Sequence, residues 1–276
     1  MGSISLNRLR RVADAVPPAA RSYRSMRDAT RRLPTYETLF GFAITADPGI
    51  DTSRQESGEI GFFLDALKAT TLVVDIGANV GLFTLLAATN HIPVVAVEPN
   101  AVNVQILLRN LQRAQPSLDV PVEVYPVALG AEPGLQTLFG TGQGASLIPG
   151  WGGIRATHGR LTPVTTVDRL HADRLAVVGG TALIKLDVEG YEFQVLQGSE
   201  RTLCLDPSPT WIVEHGLTQN FPEGGNPHFR DLFEAFWSAG YVAHTVKGRR
   251  LTESDVDGWI KKRKVDSADI NFIFRR

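Results

Sequence analysis

Val73-Val74-Asp75-Ile76-Gly77-Ala78-Asn79-Val80-Gly81 is followed in the chain by Val94-Val95-Ala96-Val97-Glu98-Pro99-Asn100. Each stretch starts as a short apolar run suited to a strand buried on both faces, and each places an acidic residue at or near the strand tip. Residues 82–89, between them, carry Leu82, Leu85, Leu86 and Ala88 at helical spacing. Strand, glycine turn, helix and strand open a doubly wound α/β sheet, in which ligands lie outside the carboxyl ends of the strands. Gly77 and Gly81 give the turn clearance to approach such a ligand. Glu98 is placed to accept hydrogen bonds from both hydroxyls of a ribose.

The nature of the nucleoside follows from what the turn lacks. A dinucleotide fingerprint needs a second glycine so that a pyrophosphate can rest on bare amides; here that position is Asn79, and Asp75 adds negative charge beside it. A diphosphate is repelled by such a turn and a cationic ligand is favoured. S-adenosylmethionine, with an ammonium and a sulfonium beside its adenosine, fits that requirement. Two other readings stay open: an NAD(P)-dependent oxidoreductase on the same sheet, and an α/β domain whose glycines only permit a tight turn.

The chain resembles the FkbM family of S-adenosylmethionine-dependent methyltransferases over residues 56–215. The resemblance rests on Asp75 to Gly81, on Glu98-Pro99 with Asn103 and Asn110, on Val127-Ala128-Leu129-Gly130, on Thr166-Val167-Asp168, and above all on Ile184-Lys185-Leu186-Asp187-Val188-Glu189-Gly190-Tyr191-Glu192 with Val195-Leu196-Gln197-Gly198. It implies a Rossmann-like class I methyltransferase sheet, mostly parallel with an antiparallel last strand, and S-adenosyl-L-methionine as cofactor. The expected cofactor residues are Asp75 on the methionyl ammonium, amides near Gly77 on its carboxylate, Asn79 and Gly81 shaping the turn, Glu98 and Pro99 at the ribose, Ala128 near the adenine, and Asp187. An asparagine that the family pattern leads one to expect near Ala128 is missing, with Pro126-Val127 in that region.

Periodicity extends the pattern in both directions. Residues 56–69 have helical spacing; strands are expected at 72–75, 94–98, 120–126, 183–186 and 211–214, and helices at 82–89, 102–115 and 191–201. An amphipathic helix over 228–239 ends at Gly240, and strands at 241–246 and 270–274 complete the sheet. Between residues 130 and 163 glycines leave only short strands such as 135–139. This excursion is the candidate for part of the acceptor pocket.

Asp187 and Glu189 follow the fourth strand, and Glu214 and His215 the fifth, so all four are expected at the same crevice as Gly77 and Glu98. Methyl transfer to a hydroxyl needs a base, for which His215 is the first choice and Asp187 the second. His215 also suits a structural role, holding a loop carbonyl. No metal is required, although Asp187, Glu189 and Glu214 would make an oxygen-rich set for a divalent cation such as Mg²⁺.

The chain has 276 residues and a formal charge of −1. Residues 1–34 hold eight arginines against Asp14 and Asp28, a net of +6, which leaves −7 for the rest. The sequence divides into an Arg-rich, partly helical extension (1–50) and a methyltransferase domain (51–276). Aromatic residues do not interleave with the arginines as single-strand binders require, so a solvated extension is favoured and no nucleic-acid partner is expected; the rival is a non-catalytic binding protein using this arm. The single cysteine, Cys204, reads as a small core residue. Neither a membrane span nor a signal-peptide core is seen, which suits a cytoplasmic enzyme acting on a small-molecule or saccharide acceptor.

Overall fold

A computed structural model describes residues 33–46, 58–154, 159–172, 175, 181–266 and 270–276. The arginines of the extension and the expected boundary near residue 50 lie outside the described residues. The part of residues 1–50 that is described forms two short antiparallel strands, β1 (Thr35–Glu37) and β2 (Ala43–Thr45). Ile44 is fully buried, and the Thr45 N–H donates to Asn110 Oδ1 at 2.8 Å.

Helix α1 (Gly58–Leu67) buries Ile60, Phe63 and Leu67, the stripe its spacing predicts. It leads into β3 (Thr70–Ile76), buried at every position except Thr71. Next come α2 (Leu82–Thr89), β4 (Val94–Val97), α3 (Ala101–Ala114) and β5 (Val122–Tyr125). Asn100 caps α3, its side chain accepting from the Val102 N–H at 3.0 Å, which supplies one of the partners a helix start lacks.

The chain then leaves the main sheet for β6 (Ala128–Leu129), β7 (Gly134–Phe139) and β8 (Gly159–Thr165), which form a separate sheet in the order β6-β8-β7. β8 was not expected. Its Leu161 points outward, 73% exposed, while Thr162 and Val164 are buried, so hydrophobicity does not mark the inner face.

Strand β9 (Thr181–Leu186) returns to the centre and is followed by α4 (Glu192–Gln197), α5 (Glu200–Leu203) and β10 (Thr210–Glu214). The helix expected over 191–201 is thus two short ones. At the break Gly198 packs so tightly that a Cβ would lie 2.1 Å from the Gly130 carbonyl oxygen. Cys204, expected in the core, is exposed just after α5. The remaining elements are α6 (Phe229–Ser238), β11 (Val242–Thr245), α7 (Glu253–Lys262) and β12 (Asn271–Arg275). Helix α7 was also unexpected, although Thr252 and Asp255 form a capping box that marks its start.

The seven-stranded sheet has the order β11-β12-β10-β9-β3-β4-β5. β12 runs antiparallel to β10 and β11, and the other adjacent pairs are parallel, as expected. Under α6 the core is aromatic: Phe236 stacks on Phe274 at 3.8 Å, and Phe233 meets Phe272 edge-on at 5.0 Å. That packing anchors the β10–β12 side of the sheet. The carboxyl ends of β3, β4, β9 and β10 lie along one rim. Among the described residues no helix is long and apolar enough to cross a membrane.

Candidate active site

The turn after β3 is built on backbone that few residues tolerate. Gly77 has φ +85°, and a Cβ there would lie 1.7 Å from the Asp187 carbonyl oxygen. Its clearance lets the turn after β3 press against the turn after β9. Asn79 has φ +51°, a left-handed conformation that asparagine accepts more readily than most residues, and its N–H donates to Glu98 Oε2 at 2.9 Å. Glu98 Oε1 accepts from the Asn100 N–H at 2.7 Å and from Asn103 Nδ2 at 3.3 Å. One carboxylate therefore ties the turns after β3 and β4 together. Burial pushes Glu98 up to about 7 even though these hydrogen bonds pull it down.

Beside these residues lies a cavity of about 580 Å³ of empty space, open to solvent. Gly77, Asn79, Glu98, Pro99, Ala128 and Asp187 line it. Val127, Leu129 and Leu138 add apolar surface. Asn79 Oδ1 is buried without a hydrogen-bond partner.

Two expected cofactor residues are not on this wall. Gly81 sits at the start of α2 with φ +96°, against Leu107. Asp75 is 1% exposed beneath the turn, accepting from Thr84 Oγ1 at 2.6 Å. Burial raises the Asp75 carboxyl, and Lys185 opposes the rise.

At the ends of β9 and β10 the carboxylates crowd. Lys185, 2% exposed, bonds Asp187 Oδ2 at 2.7 Å, lies 3.7 Å from Glu59 Oε1, and sits 4.4 Å from the centre of the Phe83 ring. Burial alone would lower the Lys185 ammonium; Asp187, Glu59 and Asp75 together hold it well above its usual range. Glu189 lines the cavity, and its Oε2 accepts from Trp151 Nε1 at 2.8 Å. Burial first, then Asp187, push Glu189 up to about 7. Glu214 is raised further, to about 9, by Asp187 first and then by burial.

His215 does not face the cavity. It is 1% exposed, stacked on Phe229 with ring centres 5.2 Å apart, with Nε2 3.3 Å from the Phe229 carbonyl oxygen and Nδ1 3.6 Å from Glu192 Oε2. Core packing removes the access that a base needs, and the alternative structural role describes its surroundings. Nor do the carboxylates make a metal centre: among the described residues no group of three or more His, Cys, Asp or Glu is arranged to hold an ion. Asp187 Oδ2 and Glu189 Oε2 are already occupied by Lys185 and Trp151.

The glycine-rich excursion closes one side. Ala145, Ser146 and Leu147 line the cavity. Hydrogen bonds fasten the segment beside the cavity, among them Asn103 Nδ2 to the Gly142 carbonyl at 3.1 Å, Ser146 Oγ to the Glu189 carbonyl at 2.7 Å, and the Trp151–Glu189 bond. Sequence reading missed Lys185, Glu59 and Trp151. A lysine inside the apolar run Ile184 to Leu186, two residues before Asp187, is a readable signal of a buried ion pair.

A mostly parallel sheet whose strand ends frame such a cavity is a Rossmann-like methyltransferase fold. The methyltransferase FkbM domain matches residues 75–243, more than half of the chain, and the protein belongs to this methyltransferase family. Among solved structures the chain is similar to a precorrin-6y C5,15-methyltransferase from Geobacter metallireducens GS-15, with 12% identity, TM-score 0.40, and 73% of this chain and 79% of that one covered. A SAM-dependent methyltransferase from Aquifex aeolicus gives 11% identity and TM-score 0.35 over 71% and 86%. A tRNA (uracil-54, C5)-methyltransferase from Pyrococcus abyssi, in complex with S-adenosyl-L-homocysteine, gives 9% identity and TM-score 0.35; the match takes in 67% of this chain and only 35% of that one. No curated protein sequence matches this chain.

Proposed function

We propose that the protein is an S-adenosylmethionine-dependent O-methyltransferase acting on a hydroxyl of a small molecule or sugar. The observation that carries the reading is the cavity at the ends of β3 and β4, where Glu98 and the unpartnered Oδ1 of Asn79 meet apolar walls from Val127 to Leu129. A carboxylate and a free carbonyl oxygen are acceptors, suited to ribose hydroxyls and an ammonium and unsuited to a diphosphate. The apolar walls suit a flat purine. These residues fit the cofactor, and Gly77, Asn79, Glu98, Pro99, Ala128 and Asp187 are those that would hold it.

When bound, the cofactor supplies an electrophilic methyl group on a cationic sulfur. What the chain must add is position and a base. Holding an acceptor oxygen in line is worth about 7–11 kcal/mol, and a well-placed base a further rate factor of about 10² to 10⁴. With His215 in the core, the base is Glu189, which lines the cavity and ionises close to neutral pH. Asp187, fixed by Lys185, is the charge that helps raise it. Two carboxylates thus divide the work, one held in place and one exchanging a proton. Calorimetry with S-adenosylhomocysteine tests the assignment: binding in the micromolar range is expected, and no heat at millimolar ligand together with quenching of NADH fluorescence would favour the oxidoreductase.

A further inference from the structure

A second hollow, of about 750 Å³ of empty space open to solvent, lies beside the cavity. Ile148 and Gly190 line the hollow, while their chain neighbours Leu147, Glu189 and Tyr191 line the cavity. The same two chain segments therefore serve both spaces as a partition.

Three features of the hollow call for a ligand of defined chemistry. On its wall Gln194 has a buried Oε1 that accepts no hydrogen bond. Such an atom costs about 1–3 kcal/mol unless something donates to it. His228, also on the wall, has Nδ1 2.8 Å from Asp231 Oδ2, and its ring stacks on Phe193 at 4.7 Å. That bond engages Nδ1 and orients the ring, so Nε2 is the imidazole nitrogen left to meet a ligand. Phe221 supplies a flat apolar surface and is itself held edge-on by Trp151 at 4.7 Å. An unpartnered amide oxygen and an imidazole nitrogen beside an aromatic face match a ring that carries several hydroxyls, each able to donate or accept, and has one apolar side.

We propose that this hollow is the subsite that binds a polyhydroxylated ring of the methyl acceptor, with Gln194 and His228 as its hydrogen-bonding residues. The proposal rests on the methyltransferase reading above and adds to it a substrate class and two residues.

Saturation-transfer NMR on the full chain, in the presence of S-adenosylhomocysteine, tests it with methyl α-D-glucopyranoside, methyl β-D-galactopyranoside and methyl α-L-fucopyranoside as probes. Cyclohexanol serves as a ring of similar size with a single hydroxyl. Transfer to at least one glycoside is expected, stronger than to cyclohexanol, and reduced about fivefold or more in both Gln194→Leu and His228→Phe. Calorimetry should give both variants the wild-type affinity for S-adenosylhomocysteine, which shows that they are folded. The proposal is overturned if none of the three glycosides receives saturation, if both variants keep the full signal, or if cyclohexanol matches the sugars. Should glycoside binding be present and lost in the variants while S-adenosylhomocysteine fails to bind, the subsite stands and the methyl-donor assignment falls.

Discussion

At the ends of β3 and β4 the polar groups secure one another across short stretches of chain, Glu98 reaching two residues on to Asn100, five to Asn103 and nineteen back to Asn79. At the ends of β9 and β10 the bonds are long-range: Trp151 reaches Glu189 across thirty-eight residues and Ser146 reaches the same residue across forty-three. The first half is a rigid socket in which one carboxylate is bonded on both oxygens. The second is a crowd of carboxylates, Asp187, Glu189 and Glu214, with a single buried lysine among them and an excursion laid over the top. A socket suits a ligand that is the same in every turnover. A crowded, partly bonded wall suits proton exchange and a pocket whose shape another segment decides.

The largest expected effect falls on the contact that joins the halves. Gly77→Ala places a Cβ into the Asp187 carbonyl at a positive φ, and should destabilise the fold by about 3 kcal/mol or more, read as a lower urea midpoint at unchanged slope. A variant of wild-type stability would mean that the turns can part without cost and that the two halves are independent.

Next comes the socket itself. Glu98→Gln should weaken S-adenosylhomocysteine binding by about tenfold to a hundredfold. Hydroxyl donors prefer the ionised carboxylate, whose share grows above about 7, so wild-type affinity should rise as pH passes that value while the variant stays flat. Calorimetry across pH 6 to 8 distinguishes this from a purely structural role for Glu98, which predicts no such slope.

Across the buried glutamates of both halves the effect is on stability. Glu214, Glu189 and Glu98 all ionise above the ordinary glutamate value of 4.5 when folded, up to about 9 for Glu214 and about 7 for the others. Their contribution is full below the unfolded value and is lost as pH rises through the folded one. The melting temperature of the ligand-free protein should therefore fall between pH 5 and 9, and Glu214→Gln should flatten the part above pH 7. An unchanged upper slope would show that Glu214 does not share the field of Asp187.

The smallest effect concerns neither half. Removing residues 1–34, with their net +6, should change S-adenosylhomocysteine affinity by no more than about twofold. Loss of a polyanion partner and of salt dependence on the same deletion would support the rival reading of this arm as a binding segment.

How much of this could be read in advance differs between the halves. The buried parallel strands were legible in runs such as Val73 to Ile76 and Val94 to Val97, because such runs suit strands covered on both faces; their order in the sheet is seen only in the fold. The glycine turn and Glu98 were legible because the residues that build the socket are close in sequence. His215 was misplaced because the end of β10 brings Glu214 to a small separate pocket with Trp151 and Gly190 while turning its neighbour into the aromatic core. Trp151 could not be assigned, since nothing in a glycine-rich segment states which distant carboxylate it will meet.

By itself the sequence determined the α/β architecture, since apolar periodicity and turn chemistry act over a few residues and survive in any packing consistent with them; the antiparallel last strand followed from the family resemblance that the Asp187 block carries. Only the tertiary structure decided that Gly77 clears space for the Asp187 carbonyl, that Asp75 lies below the cavity, and that Lys185 is shared among Asp187, Glu59 and Asp75. The physical reason is that ionisation and access depend on burial and on charges brought together from far along the chain, and neither quantity exists until the strands are side by side.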